Sequence, residues 1–221
     1  MQEMKIGFDR RIRLEWLEKA VRYYRAGLPA SQILNLLLEE VSERLAVGKS
    51  KVNRGSGKRP FLLLMKIWIR PDEFIEPLRQ SALELFDKTP AELHIVLHWG
   101  MATAVYPFWE SVAFHTGRMI RLQQRFTSAQ IYRRLIEKYG DRSTVKDATR
   151  RVLKSMYDWG VIKDAKSKNM YTSDQPIPIH EIKLVAWLLE SILYSSPYSF
   201  FSINELLNRP SLFPFELHYL I

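Results

Sequence analysis

The chain has 221 residues, 47% of them hydrophobic and 26% charged, a balance typical of globular proteins of one large or two small domains and not of disordered chains. It contains no cysteine, which excludes disulfides, thiolate metal sites and a thiol nucleophile. The net charge of +9 favours a polyanionic partner.

The beginning of the chain predicts a helical hairpin. Residues 9–26 carry apolar side chains at helical spacing among Arg, Lys and Glu. Pro29 is expected at the first or second position of another amphipathic helix, which extends to about residue 47. The first ten residues lack the apolar core of a signal peptide, and the densest apolar run, residues 61–69, is too short to span a bilayer. We therefore expect a cytoplasmic protein.

Residues 48–60 form a glycine-rich segment with five basic and no acidic residues. A mobile connector is the first interpretation of this composition, and a loop that contacts nucleic-acid phosphates is the alternative. The fragment Gly-Ser-Gly-Lys does not fit the G-x-x-x-x-G-K-[ST] pattern of a nucleotide-binding P-loop, so we exclude a P-loop here. The candidate phosphate contacts in this segment are Lys51, Arg54, Lys58 and Arg59.

The next segments predict the helical core. Residues 61–69 and 72–88 are predicted as two further helices. Thr89 and Pro90 carry the signals of a helix start, as a cap and as the first helical residue. The helix that follows, residues 93–106, is apolar on all sides, which predicts that it is the central helix of the core.

His94 and His98 lie one helical turn apart, a spacing that can hold a metal ion. No Glu follows His94 as in the H-E-x-x-H pattern, and no third ligand is evident nearby, so we interpret both as hydrogen-bonded histidines of the core or of a subdomain interface. The same interpretation applies to His115 and His180. The chain has no nucleophile elbow, dinucleotide fingerprint or paired catalytic carboxylates, so we expect no enzymatic activity and no metal or cofactor.

The basic excess is concentrated in one part of the chain. Between Arg118 and Lys168, fourteen Lys and Arg residues accompany five Asp and Glu, whereas nineteen of each are found elsewhere. A basic region in an otherwise neutral chain suits the electrostatic capture of nucleic acid, because neutralised phosphates release counterions. A solvated, soluble surface is the alternative interpretation.

Two helices are predicted inside this basic region. Thr127 and Gln130 form a capping box for the first helix, which ends at Gly140. Ser143 is the expected N-cap of the second, which ends at Gly160. The buried face of the second helix is predicted to consist of Val145, Ala148, Thr149, Val152, Leu153, Met156 and Trp159. Its outer face carries a cationic stripe at i, i+4 and i+8 that consists of Lys146, Arg150 and Lys154. Tyr157 lies beside this stripe, and Arg151 lies further round the helix.

A β-hairpin is predicted after this helix. The apolar pairs 161–162 and 170–171 flank a polar turn that contains Lys166 and Lys168. Together with the phrase Leu-Lys-Ser-Met-Tyr-Asp-Trp-Gly-Val-Ile at residues 153–162, this order of elements resembles the winged helix-turn-helix domain over residues 116–172.

The resemblance implies a DNA-binding surface. The helix from Ser143 would enter the major groove, where Arg150 would contact guanine and the two lysines of the stripe would contact phosphates or bases. Lys166 and Lys168 would reach the flanking backbone or the minor groove.

The last part of the chain predicts a helical tail. Pro176 and Pro178 indicate an extended bridge, followed by a helix over residues 180–195 and a shorter helix in the tail. The many aromatic residues of the tail are expected to dock on the core. We therefore expect a mainly α fold with a helical N-terminal half, a winged helix-turn-helix with a short β-hairpin wing, and a helical C-terminal tail, without strands outside the wing. The expected domains are 1–107, 108–175 and 176–221.

These features favour an accessory or regulatory protein that binds duplex DNA. The order of the helices, the basic loop and the winged end is also similar to the small helical accessory protein of bacteriophage-exclusion (BREX) systems, which implies a DNA-binding role in prokaryotic phage defence. The alternatives are a protein-interaction scaffold that uses a winged helix, and an RNA-binding protein. A protein-binding helix would expose apolar anchors, whereas this one exposes Lys and Arg.

Overall fold

The computed structural model describes residues 6–46, 58–166, 169–196 and 201–218, and this part of the chain is mainly helical with two small two-stranded sheets. The helices are α1 (Leu14–Arg25), α2 (Ala30–Ala46), α3 (Arg59–Trp68), α4 (Glu76–Phe86), α5 (His94–Val105), α6 (Pro107–Gln123), α7 (Ser128–Tyr139), α8 (Ser143–Asp158), α9 (Ile182–Ser195) and α10 (Ile203–Leu207). The strands are β1 (Ile162–Asp164), β2 (Tyr171–Ser173), β3 (Ile177–Ile179) and β4 (Phe215–Leu217). Among the described residues, no helix is long and apolar enough to cross a membrane.

Helix α5 lies in the centre of the core, as its apolar sequence predicts, and all twelve of its residues are buried. Gly100 permits a close approach of α9, because a Cβ at this position would lie 2.5 Å from the Trp187 ring. The predicted start of α5 is wrong. Pro90 has an extended backbone and precedes a 3₁₀ turn, Ala91–Leu93, and Thr89 provides no side-chain cap. The Thr89 carbonyl instead lies 3.0 Å from Nε2 of His94, five residues further along the chain, so a local side-chain contact closes this turn.

Residues 6–13 form an N-terminal strap without helical structure, so the predicted helix over residues 9–26 begins too early. The backbone of the strap pairs with side chains at the end of α8 instead of forming helical hydrogen bonds. The Ile12 amide donates to Ser155 Oγ at 2.9 Å, and the Ile12 carbonyl accepts from Trp159 Nε1 at 2.9 Å. Phe8 is fully buried, and its ring centroid lies 5.0 Å from that of Trp109.

Helices α7 and α8 pack together, and the hairpin follows them. The predicted capping box at Thr127 is confirmed, and Gly160 ends the second helix with a φ of 76°. The predicted N-cap at Ser143 is wrong, because Arg142 occupies the N-cap position with an extended backbone and no side-chain cap. The Arg142 side chain donates from Nη2 to the Tyr139 carbonyl at 2.9 Å, which holds the turn between the two helices.

Strands β1 and β2 pair antiparallel, with Lys163 opposite Thr172. Phe126, between α6 and α7, forms an antiparallel bridge to Tyr171, through N–H···O contacts of 2.9 and 2.8 Å. Thr172 Oγ1 also donates to the Gln124 carbonyl at 2.9 Å. The hairpin is therefore fixed on the turn that connects α6 to α7.

The tail returns to the core and forms a second sheet. Strand β4 pairs parallel with β3, so the expectation of no strands outside the hairpin is wrong. Pro178 cannot donate a hydrogen bond, but its neighbours supply the ladder: Ile177 N donates to the Pro214 carbonyl, and the Ile179 carbonyl accepts from His218 N. This pairing requires the crossover through α9 and α10, which short-range patterns do not reveal.

Docking of the tail aromatics is confirmed for those within the described residues. The Phe213 and Phe215 rings lie 5.7 and 5.8 Å from that of Trp99, and Phe201 also packs against the core. Tyr198, Phe200 and Tyr219 lie outside the described residues. Buried apolar side chains form one cluster from Phe8 to Phe215, and this cluster crosses the expected boundaries after residues 107 and 175.

Candidate nucleic-acid interface

Helix α8 is held firmly by its inner face. All the residues predicted for that face are buried: Val145, Ala148, Thr149, Val152, Leu153, Met156 and Trp159. The Trp159 ring, 5% exposed, lies 4.7 Å from Trp109 and 6.1 Å from Trp99 in the core. The helix is therefore a rigid support for whatever its outer face carries.

The outer face carries the predicted cationic stripe, and Lys146, Arg150 and Lys154 are all exposed. Arg150 Nη1 lies 3.3 Å from Asp147 Oδ1, but the two side chains are 57% and 51% exposed, so solvent weakens this pair. Lys154 Nζ lies 4.1 Å from the centre of the Tyr157 ring. Tyr157 donates to Asp164 Oδ2 at 3.1 Å, and this hydrogen bond raises the pKa of Tyr157. The tyrosine therefore connects the stripe to the first strand of the hairpin.

Of the other predicted residues of α8, Arg151 lies away from this stripe. Arg151 is half-buried and donates from Nη1 to the Asp9 carbonyl at 2.8 Å, so it faces the N-terminal strap. Ser143 is exposed at the first position of α8.

The structure describes two lysines of the hairpin, Lys163 and Lys166. Lys166 is exposed, and Lys168 lies outside the described residues. Lys163 Nζ lies 2.7 Å from Asp174 Oδ1, and this contact lowers the pKa of Asp174. Lys163 is therefore paired with a carboxylate, and Lys166 is an exposed cation at the turn of the hairpin.

The basic segment before α3 is described only at its end. Lys58 and Arg59 are exposed, and Lys51 and Arg54 lie outside the described residues. Arg59 Nη1 lies 3.5 Å from Asp9 Oδ2 in the strap, close to Arg151. Two residues that the sequence patterns did not single out, Arg10 and Arg142, line the same space. Local patterns cannot reveal this group, because its members come from three separate segments, the strap, the start of α3 and the first half of α8.

The predicted core histidines of α5 are confirmed as hydrogen-bonded residues. Both carboxylate oxygens of Glu18 lie 3.1 Å from His94 Nδ1, and Oε2 lies 3.1 Å from His98 Nε2. His115 is half-buried, whereas His180 is exposed and stacks on His218 at 4.4 Å, so the prediction of a core histidine is wrong for His180. The reason is that His180 follows β3 at the surface. Among the described residues, no group of three or more potential ligands could hold a metal ion.

A well-packed helix with an outer row of cations, followed by a hairpin that carries an exposed lysine, can bind a negatively charged polymer by charge-assisted contacts. Such a surface requires no metal and no acid–base pair. Comparison of the chain with protein-family models, with curated proteins and with solved structures gives no significant match.

Proposed function

We propose that the protein binds duplex DNA through the outer face of α8 and the β1–β2 hairpin. One observation carries this proposal: Lys146, Arg150 and Lys154 line the exposed side of a helix whose opposite side is buried. A helix of this kind can be inserted into the major groove without loss of its own packing, and its cations then meet phosphates and base edges.

The arrangement of the elements supports a winged helix-turn-helix interpretation. Helix α6 precedes α7 and α8, and the antiparallel hairpin follows directly. The Phe126–Tyr171 bridge adds a third strand position beside β2, which ties the hairpin to the entrance of α7. In a winged helix, α8 is the recognition helix and the hairpin is the wing, so Lys166 would reach the flanking backbone.

The composition of the α8 surface favours DNA binding over the protein-scaffold alternative. Every residue of α8 is described, and none of its exposed positions carries a large apolar side chain. Protein interfaces are instead centred on apolar and aromatic anchors. We further propose an accessory or regulatory role, in a phage-defence system as the sequence resemblance implies.

A fluorescence anisotropy titration tests the proposal with duplex DNA, single-stranded DNA and RNA at two salt concentrations. The triple variant Lys146→Ala/Arg150→Ala/Lys154→Ala should remain folded, with a loss of at most about 0.5 kcal/mol per exposed site. Each lost phosphate contact should reduce the slope of log K against log salt by about 0.9 on duplex DNA. A lost base contact should cost about 1–3 kcal/mol.

The matched control is Arg70→Ala/Lys88→Ala/Lys183→Ala, which removes three exposed charges from other parts of the chain. This control should leave the affinity nearly unchanged if the location of the charges matters. A folded α8 variant with wild-type affinity and salt slope would contradict the proposal. Tighter binding of RNA than of duplex DNA would instead support the RNA-binding alternative.

A further inference from the structure

A cavity of about 770 Å³ lies between the N-terminal strap, the start of α3 and the first half of α8. Its lining contains four arginines and two aspartates: Arg10, Arg59, Arg142, Arg151, Asp9 and Asp147. The volume lies within the range of small-molecule sites, roughly 300–1,000 Å³. Four cations against two anions leave the lining positively charged, so an anionic ligand is favoured.

Asp9 holds the arginines together. Its carboxylate oxygen Oδ2 lies 3.0 Å from Arg10 Nη1 and 3.5 Å from Arg59 Nη1. Its carbonyl accepts from Arg10 Nη1 at 2.7 Å and from Arg151 Nη1 at 2.8 Å. Each guanidinium has five N–H donors, so these contacts use only part of what the three arginines offer. A ligand with more acceptor oxygens than one carboxylate can therefore bind them more completely.

The strap makes this arrangement rigid. Phe8 is fully buried on one side of Asp9, and Ile12 is fully buried after Arg10. Arg11 forms a two-point ion pair with Asp158, with one N···O distance of 2.6 Å, which fastens the strap to the end of α8. The guanidinium groups of Arg10 and Arg151 are therefore positioned before any ligand arrives, which lowers the entropy cost of binding.

The chemistry of the lining matches a phosphate group. Arginine binds phosphate through two parallel N–H donors, and several arginines can surround its oxygens. Thr144, in the first turn of α8, lies on the same lining, and the positive end of this helix adds to the attraction. Leu62 and Leu63 provide an apolar part of the lining, and Leu62 is 54% exposed. Such a surface suits the sugar or base attached to a phosphate.

We propose that this cavity is a binding site for the phosphate of a nucleotide unit, supplied either by a free nucleotide or by a nucleic-acid strand that runs beside α8. The site goes beyond the DNA contact proposed above, because Thr144, Asp147 and Arg151 lie on the face of α8 next to the cationic stripe and not on it. The two sources present the same phosphate chemistry, and experiment can distinguish them.

The test uses NMR chemical-shift titration of the full chain with inorganic phosphate, a nucleoside monophosphate and duplex DNA as separate probes. Saturable shifts of the Gly7 and Thr144 amides report on the cavity. The variant Arg10→Ala/Arg59→Ala should bind the nucleoside monophosphate about tenfold or more weakly, since a hydrogen bond to a charged group contributes about 1.5–3 kcal/mol. Asp9→Asn removes the carboxylate that competes with the ligand but retains the backbone carbonyl that positions Arg10 and Arg151, so it should bind at least as tightly as the wild type.

Two further variants make the outcome unambiguous. Arg10→Lys/Arg59→Lys retains both charges but loses the planar forks, so it should also weaken binding. Arg70→Ala/Lys88→Ala removes two exposed charges outside the cavity and should bind like the wild type. If the Ala and Lys variants of Arg10 and Arg59 both bind every probe like the wild type, or if no probe shifts Gly7 and Thr144, the proposal is wrong.

Comparison of the probes identifies the source of the phosphate. Saturation by the free nucleotide assigns a nucleotide site, whereas shifts produced only by DNA assign a contact to the nucleic-acid backbone. The α8 variant Lys146→Ala/Arg150→Ala/Lys154→Ala retains the cavity lining. It should therefore still bind the nucleotide even if the proposed α8–DNA contact fails, so the two proposals can fail separately.

Discussion

At the scale of single residues, the Glu18 carboxylate connects α1 to two histidines of the central helix. Burial alone would raise the pKa of Glu18, but the hydrogen bonds from His98 and His94, together with the Arg22 contact, outweigh burial and lower this pKa to about 2. The carboxylate is therefore charged at neutral pH, and both rings are oriented by it.

Replacement of Glu18 by Gln should destabilise the protein by about 1–3 kcal/mol, because the neutral amide loses the charge-assisted hydrogen bonds to the two rings and to Arg22, and its NH₂ group cannot accept a hydrogen bond. Urea denaturation at pH 7 measures this loss. Glu92→Gln, at an exposed position on the surface pocket that Glu18, His94 and His98 also line, is the matched control and should have little effect. Equal losses in the two variants would contradict a specific role for Glu18.

The lowered pKa of His98 predicts how the free energy of unfolding depends on pH. Burial lowers its pKa below 6.5, and the opposing effect of Glu18 does not compensate. The unfolded chain takes up a proton at this residue near pH 6.5, whereas the folded chain resists it, so the free energy of unfolding should fall as the pH decreases below about 6.5. His115, whose pKa burial and nearby arginines lower to about 4, acts in the same direction.

Urea titrations between pH 7.5 and pH 5 check this dependence. The variant His98→Gln loses one of the two titrating groups, so its free energy of unfolding should vary less with pH than that of the wild type. The comparison concerns the slope and is independent of any overall destabilisation by the substitution. An unchanged slope would show that His98 does not resist protonation in the folded state.

At the scale of elements, α6 and the tail meet at Gly117. A Cβ at this position would lie 1.8 Å from the Pro210 carbonyl oxygen, and backbone there cannot yield easily. Gly117→Ala should therefore displace the 3₁₀ turn Pro210–Leu212 and cost about 1–3 kcal/mol. Urea denaturation gives the loss, and limited proteolysis should cleave the tail faster.

Gln123→Ala provides the control for this substitution, because it places an alanine at an exposed position of the same helix. It should be neutral or slightly stabilising, since alanine favours helix. Wild-type stability and tail protection in Gly117→Ala would show that the tail can move away from α6 without cost.

At the scale of the whole molecule, the rings of Trp99, Trp109 and Trp159 join the helical half to α8. Trp159→Ala removes a buried ring and the hydrogen bond from its Nε1 to the Ile12 carbonyl, and should cost about 3–5 kcal/mol. Because the core is continuous, circular dichroism and tryptophan fluorescence should report one coincident unfolding transition. Tyr157→Ala, at a half-buried position of the same helix, should lose much less.

Separate transitions for the two probes would contradict this prediction. They would indicate that the region around α7 and α8 unfolds independently of the helical half, as the expected boundary at residue 107 implies.

Much of the helical structure followed from the sequence because its determinants are local. The buried face of α8 repeats every three or four residues, and the capping box at Thr127 lies within four residues of chain. The apolar character of α5 on all sides was enough to place it at the centre of the core. The exposure of the cationic stripe followed in turn, because residues opposite a buried face must point to solvent.

The tertiary structure alone decided what depends on distant partners. Ile12 and Ser155 are separated by 143 positions, and only their contact reveals that the first residues form a strap instead of a helical turn. The parallel pairing of β3 with β4 and the meeting of Arg10, Arg59 and Arg142 at one cavity have the same origin. Hydrogen bonds and charge clusters between remote segments leave no periodic pattern, because each segment satisfies its own local preferences and the partner is chosen by the packing of the whole chain.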